Sequence, residues 1–410
     1  MRARIARHAR RPAPSLVRGV YLPRTADGAA FAMTTYGVPL LVLAVTGSAA
    51  LTGLAFTLEW VPRLAAFTVA GTVVDRHGTA RVFRTACAAR ALVVLTAALL
   101  LADPRIGVPG AVTVMALAPL TGFLTEFSYV AAETVGGEAS RAAGAGAHRV
   151  QSVLLAIDQS AMLAGPLVCG LLLQHGGPAV MLATLAAFSL LAATLSSRWR
   201  TDPSGEPMGK NGLQAGWRTL RSLPALAWLI GGLLVSNTAI ALLQAAMPVI
   251  VVSEMGRSSA DAGLIWSAAA VASLLAIATC RRAIDRWGLW PVGGVAGAVA
   301  AAATLAVAQA HTYGGYILLI AVLMAGEGGL TVVLRTLRSR LIPPQVFGST
   351  LAVTILLLLL PFPAAGLLVA VIPPGLLGHA IGACAALQAL GLAVAFTKLR
   401  TLPGLRLPAA

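Results

Sequence analysis

The sequence predicts an all-α membrane protein of twelve spanning helices, built as two six-helix sets that repeat one another. Composition is the first observation behind this. The 410 residues are 58% hydrophobic and only 11% charged, with a mean hydropathy of +0.84, whereas soluble domains carry about 25% charged residues. Span count is the second: a crossing takes about 20 apolar residues, and the apolar runs divided by Gly, Pro or charge number twelve. The third is internal repetition, taken up below.

Taken in order, the first set of spans lies near 28–46, 51–74, 82–101, 109–132, 149–173 and 178–196. The second lies near 224–252, 261–280, 291–310, 315–336, 346–371 and 375–397. The chain therefore divides into a basic cytoplasmic N-terminal segment (1–26), an N-terminal bundle (27–196), a central linker (197–223), a C-terminal bundle (224–397) and a cytoplasmic tail (398–410). The linker carries Pro203, Ser204, Gly205, Pro207, Gly209 and Gly212, which is loop chemistry. At its end Leu213, Trp217, Leu220 and Leu223 recur at helical spacing beside Arg218 and Arg221. Two readings fit: a short helix lying in the membrane interface, or a cap on span seven. The first apolar run is too long for a signal-peptide core and reads as a retained span.

The net charge of +16 raises the possibility of nucleic-acid binding, since basic patches track phosphates. Placement argues otherwise. Of the 30 Lys/Arg, 26 fall in segments on one side of the membrane, only Arg105 and Arg257 on the other, and Arg63 and Arg90 within spans. This is the positive-inside pattern; it places both termini in the cytoplasm and the chain in the inner membrane, with the lipid bilayer as partner and no nucleic acid. Cys87, Cys169, Cys280 and Cys384 all lie in apolar stretches with no pairing or metal-like spacing.

The repeat is the most informative feature. Asp75-Arg76-His77-Gly78 follows span two, and Asp285-Arg286-Trp287-Gly288 follows span eight, 210 residues later. One such tetrapeptide is ordinary turn chemistry; two at corresponding places indicate duplication. Spans five and eleven also both carry mid-span prolines, in Gly165-Pro166 and Pro361-Phe362-Pro363. Proline removes a backbone donor, so both helices are expected to kink, and paired interrupted helices point to a transport site.

The stretch Gly71-Thr-Val-Val-Asp75-Arg76-His-Gly78-Thr-Ala-Arg81 resembles the signature between spans two and three of the major facilitator superfamily. In the second half Arg281 stands where the signature's first Gly would be. The resemblance implies the major facilitator fold and a cytoplasmic latch. In that latch Gly71 lets span two approach span eleven, Asp75 meets that helix's N-terminal end, and Arg76 and Arg81 bond neighbouring helix ends and acids. Ala161-x-x-x-Gly165-Pro166-x-x-x-Gly170 in span five resembles in part the family's antiporter signature, which implies export. Span four lacks the Arg of the commonest proton-coupled drug antiporters, so the chain looks closer to the macrolide and siderophore efflux branch.

Ten of the 14 acidic residues read as loop or span-end groups, Asp27 and Glu133 among them. Glu59, Glu126, Asp158 and Glu327 lie inside spans and are the candidates for proton coupling. Glu59 stands 12 residues before Gly71, roughly 18 Å from the cytoplasmic end at 1.5 Å per residue. Acids at such depth cost about 2.5–3.5 kcal/mol and face a bundle interior or a wet cavity. The competing reading is a static ion pair with Arg63, Arg84, Arg90 or Arg335; it is strongest for Glu59, which has Arg63 one turn along. Asp158 has no basic residue within a turn, and Glu327 sits among glycines in Gly326-Glu327-Gly328-Gly329, which suits a substrate-facing or gating acid. Tyr36, Phe123, Phe127, Tyr129, Asn237, Gln244, Trp266 and Phe362 are the substrate-cavity candidates, with helix packing as the alternative for the aromatics.

These features lead to an expected monomeric secondary carrier that exports a hydrophobic or amphiphilic small molecule, with a cation or neutral species favoured over an anion, in exchange for protons. The alternative within transport is a proton-coupled importer. An integral-membrane enzyme is disfavoured: the six histidines are scattered and form no HExxH or Cys/His cluster, so no metal or cofactor is implied, and no nucleotide-binding P-loop is present.

Overall fold

The structure is a computed structural model and describes residues 16–103, 105, 107–143, 147–196, 212–343 and 346–401. The basic residues before Leu16, linker positions 197–211 and the tail beyond Thr401 lie outside the described residues. Among the described residues there are helices and no strands.

The N-terminal set opens with α1 (Leu22–Thr46), entered through a π-helical turn at Val17–Tyr21. Then come α2 (Ala49–His77), α3 (Thr79–Ala102) and α4 (Gly110–Ala142). A long helical stretch, Ala147–Leu195, is folded at Gly177, whose φ of 75° no other residue type adopts easily; it supplies α5 (147–176) and α6 (178–195). A short helix, Gly212–Ser222, leads into the second set. That set is α7 (Pro224–Pro248, prolonged by the π-helical Val249–Glu254), α8 (Ser259–Trp287), α9 (Leu289–Val307) and α10 (Tyr313–Leu341). It closes with α11 in two pieces (Phe347–Leu359 and Pro361–Val371) and α12 (Leu377–Thr401).

Among the described residues ten helical stretches are long and apolar enough to cross a membrane. One of them contains both α5 and α6, and α2, which carries Glu59 and Arg63, completes the twelve. The expected duplication is visible in the backbone. Gly78 and Gly288 end α2 and α8 with φ of 83° and 86°, each donating its N–H to the carbonyl four residues back, at 2.9 and 2.8 Å. These two turns mark one end of the bundle, here the motif end; Gly47, Gly107 and Gly256 turn the chain at the far end.

Inside the N-terminal set α1 packs on α5 and α2 on α4; inside the C-terminal set α10 packs on α8 and α9, and α7 on α12. The two sets meet through α5 against α8 and α2 against α11. Both contacts depend on glycine near the far end. A methyl group added at Gly53 would overlap the backbone of Gly366 and Ala370. One at Gly170 would overlap Ser259 and Ala260, and one at Gly263 the backbone of Pro166 and Leu167. Without a hydrophobic force between helices in lipid, such close van der Waals packing and interhelical hydrogen bonds are what hold them. The bonds are Thr57 Oγ1 to the Pro363 carbonyl (3.0 Å) and Ser267 Oγ to the Leu163 carbonyl (2.5 Å).

Two sequence expectations need correction. Helix begins at Val17, not near 28, so Arg24 and Asp27 belong to a span and both are buried. Ion pairing described below is what lets charged residues extend an apolar helix. Next, α5 stays helical through Pro166 and leaves helical geometry at Gly177, so of the two proline sites only the α11 one, at Leu360-Pro361, divides its helix. Near the far end, α2 and α11 approach closely at Gly53 and Gly366.

Candidate substrate and coupling site

Helical spacing puts Arg24, Asp27 and Phe31 along one face of α1, Glu59, Trp60 and Arg63 together on α2, and Glu126, Tyr129 and Glu133 along α4. Packing of these helices with α5 assembles three ionic groups. The first lies toward the motif end. Arg24 from α1 grips Asp158 of α5 with both Nε and Nη2 at 2.8 Å, and Nη2 also pairs with Glu133 of α4. Asp158, which has no base nearby in sequence, thus has one 134 positions upstream.

In the second group Arg90 of α3 is fully buried and bonds Asp27 Oδ1 at 2.7 Å. Its remaining donors go to Ser189 Oγ at 2.9 Å and Ser128 Oγ at 3.1 Å. Asp27, expected near a span end, is instead 3% exposed in the bundle interior.

The third group is deepest. Arg63 donates from Nε to Glu126 Oε2 at 2.9 Å and from Nη1 to Thr35 Oγ1 at 3.3 Å. Its guanidinium lies over the rings of Phe31 and Trp60, 4.5 and 4.4 Å from their centroids. Glu59 Oε1 stands 3.9 Å away, close enough for attraction and too far for a hydrogen bond. Both Glu59 oxygens are buried without a hydrogen-bond partner among the described residues. Gly122 makes this crowding possible, since a methyl there would collide with the Glu59 carbonyl and side chain. One base therefore faces two acids, bound to one and within reach of the other.

A cavity of about 330 Å³ joins these groups. The N-terminal set contributes Arg24, Asp27, Phe31, Trp60, Arg63, Phe67, Glu126, Tyr129 and Asp158, and the C-terminal set contributes Arg335, Ile355 and Leu359. A neighbouring space of about 290 Å³ shares Arg24, Tyr129, Asp158 and Arg335 and adds Glu133. Arg335 makes no ion pair with any described residue.

Glu327 is placed elsewhere. It is buried among α7, α10 and α12, accepting hydrogen bonds from Ser236 Oγ at 2.5 Å and Gln388 Nε2 at 3.3 Å. Gln388 also bonds Ser236, at 2.7 Å. Of the four expected coupling acids, Glu126 and Asp158 line the cavity between the halves, Glu59 sits behind Arg63, and Glu327 belongs to this separate polar cluster.

Tyr36, Phe123, Phe127, Asn237, Gln244 and Trp266 are not among the described residues lining the cavity, while Tyr129 is. Tyr36 and Trp266 meet across the two halves, ring centroids 5.6 Å apart. Phe123 pairs with Phe127 and is 41% exposed. Asn237 donates to the Leu358 carbonyl beside the break in α11 (2.7 Å), and Gln244 is buried in α7. Phe362 packs against Trp60, ring centroids 4.2 Å apart and tilted by 33°, carrying α11 onto α2. At the motif end Asp75, Arg76, Arg81, Asp285 and Arg286 are all exposed. None of the five forms an ion pair with a described residue. Gly165 gives room to Ala32 of α1, and Gly170 to α8.

Sequence reasoning missed Arg24, the Asp27–Arg90 pair, Ser236, Gln388 and Arg335's place in the cavity. Arg90 offered a signal: a cation inside a span requires an acid, and Asp27 was available at a helix start.

The chain matches the Major Facilitator Superfamily over residues 25–396. It belongs to that superfamily. In solved structures this transporter's fold recurs at low sequence identity. A mutant of the nucleoside transporter NupG superposes with a TM-score of 0.68 and 12% identity, covering 93% of this chain and 98% of that one. A bacterial homologue of the iron transporter ferroportin, in its inward-facing state, gives 0.67 and 19% over 93% and 98%. A bacterial metal transporter gives 0.68 and 17% over 95% and 99%. These likenesses show the fold alone. No curated protein sequence matches the chain.

Proposed function

We propose that this major facilitator transporter exports an amphiphilic small molecule, cationic or neutral, in exchange for protons, by alternating access of a site between its two six-helix halves. The observation that carries the reading is the cavity between α1, α2, α4, α5, α10 and α11, where aromatic rings lie beside Arg24–Asp158 and Arg63–Glu126. Phe31, Trp60, Phe67 and Tyr129 offer an apolar body a surface, and the carboxylates offer a positive group a partner.

The inter-half contacts at Gly53, Gly170 and Gly263 lie near the far end, and Asp75, Arg76, Arg81, Asp285 and Arg286 at the motif end are exposed. The positive-inside pattern assigns the motif end to the cytoplasm, so this conformation receives substrate from inside. Arg63 provides the exchange element. A proton arriving at Glu126 releases the Arg63 guanidinium, which then has Glu59 within 3.9 Å as its alternative partner. Burying a charge without a partner is costly, so one proton moves the base from one acid to the other. Asp158 is the acid through which substrate acts on Arg24, because its side chain is 33% exposed. The partial likeness of α5 to the antiporter signature supports the outward direction.

Proteoliposomes with an acidic lumen and a fluorescent amphiphilic cation outside test the reading. Dye should accumulate in the acidic lumen and discharge the pH gradient as it enters. Movement of dye and protons in the same direction would sink export. Glu126→Gln and Asp158→Asn should each abolish proton dependence, and unchanged dependence in both would remove the proposed coupling.

A further inference from the structure

We infer that the short helix Gly212–Ser222 and the first piece of α11 form a binding site for an anionic phospholipid. Helix and α11 meet at Gly216, where an added methyl would overlap the backbone of Ser349 and Thr350, and Leu220 is buried beneath the helix. Beside that contact runs an apolar groove of about 430 Å³, walled by Leu213, Trp217 and Arg218 on one side and Val353, Leu356 and Leu357 on the other. Its second wall belongs to a membrane-spanning helix, so the groove opens where acyl chains lie.

Charge selects the occupant. The short helix contains no acidic residue. Arg218 and Arg221 are exposed and form no ion pair with a described residue, and Arg221 lies 5.0 Å above the Trp217 ring. An indole and two exposed guanidinium groups beside an apolar slot match a lipid with an acyl chain below and a negative phosphodiester above. Trp favours this depth, and basic residues at the membrane surface favour anionic lipid. A lipid seated here ties Leu356 and Leu357 to the short helix, and so holds the first piece of α11 independently of the second piece, which packs on α2.

The test uses the full-length protein in nanodiscs mixing phosphatidylglycerol with phosphatidylcholine. Native mass spectrometry reads the retained lipid, and a photoreactive phenylalanine analogue at Leu357 reports what fills the groove. Phosphatidylglycerol should be retained in preference and appear as the crosslinked adduct. With each Arg contributing a preference of about fivefold, R218Q/R221Q should lower that selectivity by about 25-fold. R218K/R221K, which keeps the charge, should retain it. Unchanged selectivity in the Gln variant overturns the inference. So does an adduct to a second copy of the chain, or to the chain itself, in place of lipid. Because lipid retention is read without transport, failure here is distinct from failure of the export reading.

Discussion

Arg90 has no contact with water, and its fit depends on Asp27 as much as on Ser128 and Ser189. Removing one partner of a buried pair leaves the other charge stranded, at a cost of about 3–5 kcal/mol, while replacing both by apolar groups is often neutral. Arg90→Leu should therefore strongly lower the thermal unfolding midpoint in detergent, and the Asp27→Leu/Arg90→Leu double variant should recover most of the loss; equal damage in both would contradict a dominant pair. Glu327 contrasts with this, because its partners are neutral donors. In Glu327→Gln the amide oxygen can still accept from Ser236 and Gln388, so stability should change by no more than about 1 kcal/mol. At this scale the sequence exposes the four mid-span acids and little about their partners. Glu59 and Arg63 are legible because they share a helix turn. Asp158 and Arg24 are separated by 134 positions, and no local periodicity connects them.

Helix boundaries follow from caps that are themselves visible in sequence. Ser258 and Asp261 cap the start of α8 reciprocally, each side chain bonding the other's backbone N–H. Gly78 and Gly288 end their helices in a backbone region that other residues avoid. The break in α11 is different, since Asn237 of another helix donates to Leu358 there at 2.7 Å. Asn237→Ala should cost about 1 kcal/mol, seen as a lower unfolding midpoint and faster amide exchange around Leu360. All twelve spans can be read from apolar run length, yet the start of α1 cannot. Counting apolar residues stops at Gly28, whereas the helix continues back to Val17 because Arg24 and Asp27, both buried, each find an ion-pair partner in another helix.

On the scale of the whole molecule, the two halves are held near the far end by glycine contacts that a single carbon would disturb. Gly53 and Gly366 bring α2 against α11, and Gly170 and Gly263 bring α5 against α8. Overpacking costs about 1–3 kcal/mol, so Gly53→Leu should move the balance toward a far-end-open conformation by on the order of tenfold. Spin-label distances between the far ends of α2 and α11 would read this; an unchanged distance distribution would show that the seam is not what closes that end. The amino-acid sequence alone determined the twelve crossings, the repeated turn and the asymmetry of positive charge, because each depends on local composition and on transfer of residues between water and lipid. Tertiary structure decided which acid meets which arginine, that Glu327 belongs to a cluster apart from the inter-half cavity, and that α2 meets α11 at Gly53 and Gly366. Those outcomes depend on how helices far apart in the chain pack, and packing is set by shape and electrostatic fit across helices, which linear order does not record.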